Sequence, residues 1–187
     1  MSVNEVQGTA GASAQREDTP GPEPLHQAAD KLSLLLELRW GDMDAYNHVN
    51  NVQYLRLLEE ARVRLLGSPT ATSDGSSVVD GTAIQLFSRM GFDTSSLVAR
   101  HVIEYRAPLE YRVAPVAIDM WVSRLGGASF DLGYEVREPD GSVSYALAET
   151  SVVFVDRSSG KPRRMTNEER EILHSLDAGP VPFRRQS

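Results

Sequence analysis

The 187 residues carry 26 acidic against 19 basic side chains, a formal charge of −7 with histidine neutral, and 41% of them are hydrophobic. Such a length sets one domain with tails as the prior, and the acidic balance argues against a nucleic-acid partner, which would require a basic face. Cysteine is absent, which excludes disulfides, thiolate metal sites and a cysteine nucleophile and fits a cytoplasmic protein. The N-terminus lacks the apolar core of a signal peptide, and no run of apolar residues is long enough to span a bilayer.

Taken in chain order, residues 1–31 are rich in Gly, Ala, Ser, Pro, Glu and Asp and show almost no apolar periodicity. A segment like this buries too little surface to offset its ordering entropy, so it reads as a disordered N-terminal tail. Leu34–Arg39 is an apolar run of strand length. Beyond it, Asp42, Asp44, His48, Asn47, Asn50 and Asn51 crowd into a few positions. So many polar groups at the junction of two elements need partners, which points to a turn, an interface or a site. Val52, Leu55, Leu58, Ala61 and Leu65 then recur every three or four residues, the apolar face of a helix over 51–66. Arg56–Glu60 and Glu60–Arg64 sit at i,i+4 spacing on its other face, and Gly67, Ser68 and Pro69 end it.

Residues 68–81 have the composition of a loop, and Ile84, Phe87 and Met90 suggest a short helix stopped by Gly91. From Leu97 the apolar period becomes two. Val116, Ile118, Met120 and Val122 alternate with smaller or polar residues, as do Phe130, Leu132, Tyr134 and Val136, so these are half-buried strands. Gly126-Gly127 and Pro139-Asp140-Gly141 mark hairpins between them. One more strand covers Ser142–Asp156. A closing helix over Thr166–Leu176 has Thr166 as its cap and Glu168 and Glu169 in its first turn.

One long helix and an antiparallel sheet make an α+β domain, since neither element buries its apolar face alone. Trp121 falls on the opposite sheet face, which suggests that a second subunit covers it. The domain should occupy residues 32–157, with residues 158–187 as a C-terminal extension carrying the short helix.

The stretch Gly-Asp-Met-Asp-Ala-Tyr-Asn-His-Val-Asn-Asn-Val-Gln-Tyr (41–54), followed by Glu59-Glu60-Ala61-Arg62, resembles the acyl-CoA thioesterases of the hotdog fold. The similar branch is the 4-hydroxybenzoyl-CoA thioesterase-like group with Asp-x-Asp-x-x-x-His-Val-Asn-Asn. Residues 98–109 resemble that family's second strand, and Phe154-Val155-Asp156 with Gly160-Lys161-Pro162-Arg163 its closing strand and turn. Roughly residues 32–170 are covered, with the loop at 68–81 as an insertion. The resemblance implies an antiparallel five-stranded sheet wrapped around a long central helix. It also implies homodimers joined edge to edge, which can pair into homotetramers, with active sites at the dimer interface.

By motif position the resemblance makes Asp44 the catalytic carboxylate, acting as nucleophile or general base on an acyl-CoA thioester. The backbone N–H of Asn51 at the helix start would be the oxyanion donor. Read from the residues alone, the alternative role for Asp44 is that of a turn or helix-capping aspartate, the commonest one for Asp before a helix. His48 either polarises the thioester or fixes the loop. Asp42 reads as a partner of Arg39 or a backbone cap. Asn50 and Asn51 would fix the helix start and line the pocket with Tyr54, and Glu59 would be an exposed salt-bridge residue. Arg100, Arg106 and Arg124 are candidates for the phosphates of coenzyme A. No cofactor is expected. No metal is expected either: Asp42-x-Asp44 begins like a calcium loop, but Tyr46, Asn47 and Gln53 stand where that loop needs ligands and a glycine. The competing reading is a non-catalytic module that binds acyl-CoA or lipid. A hydratase would need a His-plus-acid constellation that is not visible here.

Overall fold

The computed structural model describes residues 31–67, 84, 86–87, 90–91 and 93–184. The expected tail, the loop at 68–81 and most of the short helix at 84–90 lie outside them. The elements are β1 (Leu32–Leu36), α1 (Asn51–Leu66), β2 (Thr94–Tyr105), β3 (Val116–Leu125), β4 (Ser129–Arg137), β5 (Ser144–Asp156) and α2 (Asn167–His174). A single 3-10 turn, Trp40–Asp42, stands between β1 and α1. The first strand starts two residues earlier than the apolar run suggested and stops at Leu36, before Glu37.

All strand pairs are antiparallel, in the order β1-β3-β4-β5-β2, so β2 is an edge. The meander β3-β4-β5 follows from its turns. Gly126 and Gly127 open the first, and Gly141, at φ 77°, supplies the left-handed residue of the second. Every apolar residue of the two alternating sets, Val116 to Val122 and Phe130 to Val136, enters one hydrophobic core. That face of the sheet curls around the 16-residue α1, the α+β arrangement expected. Burying one leucine side chain there contributes about 1.5–3 kcal/mol.

The helix is rotated relative to the expected stripe. Leu58, Ala61 and Leu65 are buried as expected, but they are joined by Tyr54 and Leu57, whereas Val52 is 69% exposed. Two overlapping sets, 52-55-58 and 54-57/58-61, both satisfy helical spacing. The cap at Asn50 and the direction of entry from the polar turn decide between them.

The outer sheet face departs further from expectation. Trp121 is buried by its own chain, not by a second subunit. Its ring lies over Gly133 on the neighbouring strand, where an added Cβ would come within 2.5 Å of the indole. Trp121 Nε1–H donates to the Gly179 carbonyl at 2.9 Å, Lys31 Nζ stacks 4.2 Å from the ring centroid, and Val181, Phe183 and Leu147 complete a small apolar cluster. Gly179, Val181 and Phe183 of this cover come from the residues after α2. Met165, Leu173 and Leu176 first join the main core. The Leu176 carbonyl then accepts from Val122 N–H at 2.8 Å and Ala178 N–H donates to the Val122 carbonyl at 3.2 Å. That part of the β3 edge is free because β1 pairs no further along it than Met120. The chain thereby passes from the inner face to the outer one. The Thr166–Glu169 capping box that starts α2 is the one its sequence implied.

Candidate active site at the start of the central helix

The polar turn is built from backbone geometry around two aspartates that do different things. Asp42 is 3% exposed. Its Oδ2 accepts the Arg39 N–H at 2.7 Å and the Arg56 guanidinium at 2.6 Å. Of the two roles expected for Asp42, the backbone cap is the one found and the ion pair with Arg39 is corrected: Arg39 contributes its backbone N–H, while its side chain reaches Glu60 at 3.9 Å. The charge partner is Arg56, one turn into α1 on the face turned back toward the 3-10 turn. Arg56 also pairs with Glu60 at 3.1 Å.

Asp44 closes a tight loop. Its Oδ1 accepts Tyr46 N–H at 2.8 Å and His48 N–H at 3.2 Å, while its own N–H donates to the His48 carbonyl at 2.8 Å. Asn47, at φ 63°, takes the left-handed conformation that asparagine tolerates better than most side chains. Val49 N–H donates to the Leu109 carbonyl at 2.7 Å, which pins the loop to the segment after β2. Asn50 then donates its N–H to the Asp42 carbonyl at 2.8 Å and caps α1 by accepting Val52 N–H at 3.0 Å on its side chain. Asn51 is the first helical residue, so its N–H has no acceptor within the helix and lies at the positive end of the dipole.

Asp44, His48, Asn51 and Tyr54 line one cleft of about 310 Å³, with Tyr105 and Leu109 from the end of β2 and beyond on its other wall. Among the described residues, Asp44 Oδ2 has no hydrogen-bond partner, so one carboxylate oxygen holds the loop and the other is left unbonded in a residue that lines the cleft. Tyr54 is buried, its ring packed edge-on against Tyr105 at 5.2 Å. Burial, helped by Tyr105 and Tyr145, pushes the Tyr54 hydroxyl up to about 12. The Tyr105 hydroxyl donates to the Asn51 carbonyl at 3.3 Å, tying the helix start to the edge strand.

The remaining sequence candidates divide. Arg106 lines the cleft. Asn50 does not; its side chain is occupied by the cap. Arg100 and Arg124 lie away from the cleft, Arg100 3.9 Å from Glu149 and Arg124 bonded to Asp131 at 2.6 Å. Arg124 is on β3, separated from β2 by two intervening strands. Glu59 is exposed, 3.7 Å from Arg62. Tyr105 and Leu109 were missed by sequence reasoning, although the string from Val98 to Leu109 ends on them.

Arg62 was missed too. It is 8% exposed. It lies close enough to Tyr134 on β4 and His101 on β2 to act electrostatically on both. His101 Nδ1 in turn contacts Thr150 Oγ1 at 2.9 Å. Burial first, and then the Arg62 charge, depress the His101 pKa.

The family profile described as the thioesterase-like superfamily matches residues 38–173, from the 3-10 turn to α2. The chain belongs to that superfamily. Solved hotdog thioesterase structures superpose on it. The YbaW probable thioesterase of Escherichia coli is 27% identical at a TM-score of 0.58, the match covering 77% of this chain and 97% of that one. A candidate acyl-CoA thioesterase of Xanthomonas campestris is 27% identical at 0.54, over 71% and 97%. A 1,4-dihydroxy-2-naphthoyl-CoA thioesterase of Synechocystis shares the fold at 15% identity and 0.60, over 78% and 95%. No curated protein matches the chain. The superfamily fold therefore brings Asp44, His48, Asn51 and Tyr54 to one end of its central helix, and the chemistry available there is that of a carboxylate beside a helix N-terminus.

Proposed function

We propose that this member of the thioesterase-like superfamily hydrolyses acyl-CoA thioesters in the cleft at the start of α1. The observation that carries the reading is the division of labour at Asp44: Oδ1 is fixed by two backbone N–H groups while Oδ2 has no partner among the described residues of the cleft. A carboxylate so held needs little reorganisation to act. The thioester carbonyl oxygen would take the Asn51 N–H, where the helix dipole favours the charge that develops. As general base, Asp44 removes a proton from water as the water oxygen bonds to the carbonyl carbon. The tetrahedral intermediate then collapses, the C–S bond breaks, and the thiolate takes the proton back from Asp44. As nucleophile, the same oxygen forms the bond, expels the thiolate and leaves an anhydride that water opens. Single turnover in heavy-oxygen water separates the two routes: general-base attack puts the label in the released acid, whereas an anhydride opened at the Asp44 carbonyl leaves the label on Asp44 and releases unlabelled acid.

The long edge strand supports a homodimer. β2 has 12 residues and exposes Leu97, Val98 and Tyr105, and an edge of that length with apolar residues is a template for pairing with another strand. Two copies joined there would place the partner against the Tyr105 wall of the cleft. No helix among the described residues is long and apolar enough to cross a membrane.

Release of free thiol from a panel of acyl-CoAs tests the function, with no background from a chain that has no cysteine. Turnover that Asp44→Asn abolishes supports the proposal. Binding of acyl-CoA without turnover by the wild type would give the site to a non-catalytic module instead.

A further inference from the structure

After α2 the chain continues past the 38–173 span that the superfamily profile matches, and residues 177–184 form a strap across the outer face of the sheet. It starts at β3, where Asp177 bridges to Val122 and Gly179 accepts from Trp121. It ends at β2. There the Pro182 carbonyl accepts from Arg106 Nη2 at 2.9 Å, and Arg184 N–H donates to Glu104 Oε2 at 2.7 Å. Glu104 also accepts Arg106 Nε at 3.1 Å on its other oxygen, with Arg184 Nε 3.9 Å from the same atom. Two guanidiniums therefore share one carboxylate, and Glu104 is held ionised first by the Arg184 N–H and then by Arg106. One carboxylate thus meets two guanidiniums beside the wall of the cleft that Arg106 lines.

We infer that the C-terminal strap is an added part of the substrate site, in which Arg106, fixed by Pro182 and Glu104, and Arg184 receive a phosphate of the thiol carrier. The inference rests on the acyl-CoA reading for its ligand but not on Asp44 chemistry. Coenzyme A is strongly anionic and the chain is −7 overall, so its phosphates need a local cationic point to offset the long-range field. Arginine suits the task because its fork bonds phosphate while keeping a second partner. Arg106 has that arrangement, with Nε on Glu104 and Nη2 on a carbonyl. Arg184 is 74% exposed along its side chain and free to turn toward a ligand.

Equilibrium binding to the full chain tests this without turnover, using coenzyme A, phosphopantetheine and unphosphorylated pantetheine as probes. Arg184→Ala and Arg106→Ala should each weaken coenzyme A about tenfold and leave pantetheine unchanged. Loss with coenzyme A alone gives the site to the nucleotide phosphates. Loss with phosphopantetheine as well gives it to the phosphate next to the thiol arm. Coenzyme A binding that ignores both substitutions, or pantetheine weakened by the same factor, would overturn the inference. A chain ending at Val181 loses Arg184 and the Pro182 carbonyl and should weaken coenzyme A at least as far as Arg184→Ala; should it fail to fold, the point variants decide, since neither removes the Trp121 cover. Turnover of acyl-pantetheine that depends on Asp44 would survive this failure, which keeps the two claims separate.

Discussion

Asp42 and Asp44 are two residues apart in one polar turn, yet their surroundings are opposite. Asp42 is buried, spends its carboxylate on Arg56 and the Arg39 N–H, and faces away from the cleft. Asp44 is part-exposed, anchors its loop with one oxygen, has no partner on the other among the described residues, and lines the cleft. The backbone accounts for the split. The 3-10 turn points Asp42 toward the helix flank, and the loop closed by Asn47 points Asp44 toward the helix end. A buried carboxylate locked to a guanidinium fixes structure, and a part-exposed one held only by backbone N–H groups keeps a lone pair for chemistry.

The largest expected effects should separate cleanly along this line. Asp44→Asn keeps an oxygen for the Tyr46 and His48 N–H groups, so thermal stability should hold, while kcat falls about 10²–10⁴-fold with loss of the carboxylate. Comparable turnover from the variant would remove Asp44 from the chemistry. Asp42→Ala should do the reverse. It strands the Arg39 N–H and leaves Arg56 with Glu60 as its one remaining carboxylate, which costs about 1–3 kcal/mol in urea unfolding, with kcat of the folded fraction changed only a few-fold. An Asp42 variant that is stable but inactive would mean that the turn acts as one catalytic unit.

Part of this was legible in the sequence. The helix bounds were, because Asn50 and Gly67 punctuate a periodic run, and so were the strands of the meander, because alternation and turn residues agree. Asp44, His48, Asn51 and Tyr54 could be grouped because they are local to one turn. What could not be read depends on how elements approach each other. Arg56 as the partner of Asp42 requires the angle between the 3-10 turn and α1. Tyr105 and Leu109 reach the cleft only because β2 lies beside β5, not beside β1, and the same strand order carries Arg124 away. Arg62 looks like one more charge on a helix until the sheet curls over it. The strap has no periodicity at all, and Trp121 therefore looked like a contact for another subunit.

Alkaline pH sharpens the comparison from the cleft side. The Tyr54 hydroxyl ionises at 10.0 when unperturbed and at about 12 in the fold. Between those values the unfolded chain has lost the proton and the folded one still holds it, so stability falls as pH rises, by about 2–3 kcal/mol in all for this group. Urea unfolding from pH 9 to 12 should show the decline in the wild type and a shallower one in Tyr54→Phe. Equal slopes would mean that the other tyrosines, and not the floor of the cleft, carry it.

The smallest effect tests the residue that joins the two halves. Asn50 donates its N–H to the Asp42 carbonyl and caps the helix whose first residue, Asn51, lines the cleft with Asp44. In Asn50→Ala the backbone bond to Asp42 remains and only the cap is lost, which costs about 1 kcal/mol. The helix start is held independently by the Tyr105 hydroxyl on the Asn51 carbonyl and by Val49 on Leu109. The first N–H should therefore stay in place, and kcat should fall by no more than a few-fold while the urea midpoint shifts. If kcat instead falls as far as in Asp44→Asn, the oxyanion donor depends on the cap, and structure and chemistry in this turn are divided at Asn50 rather than between the two aspartates.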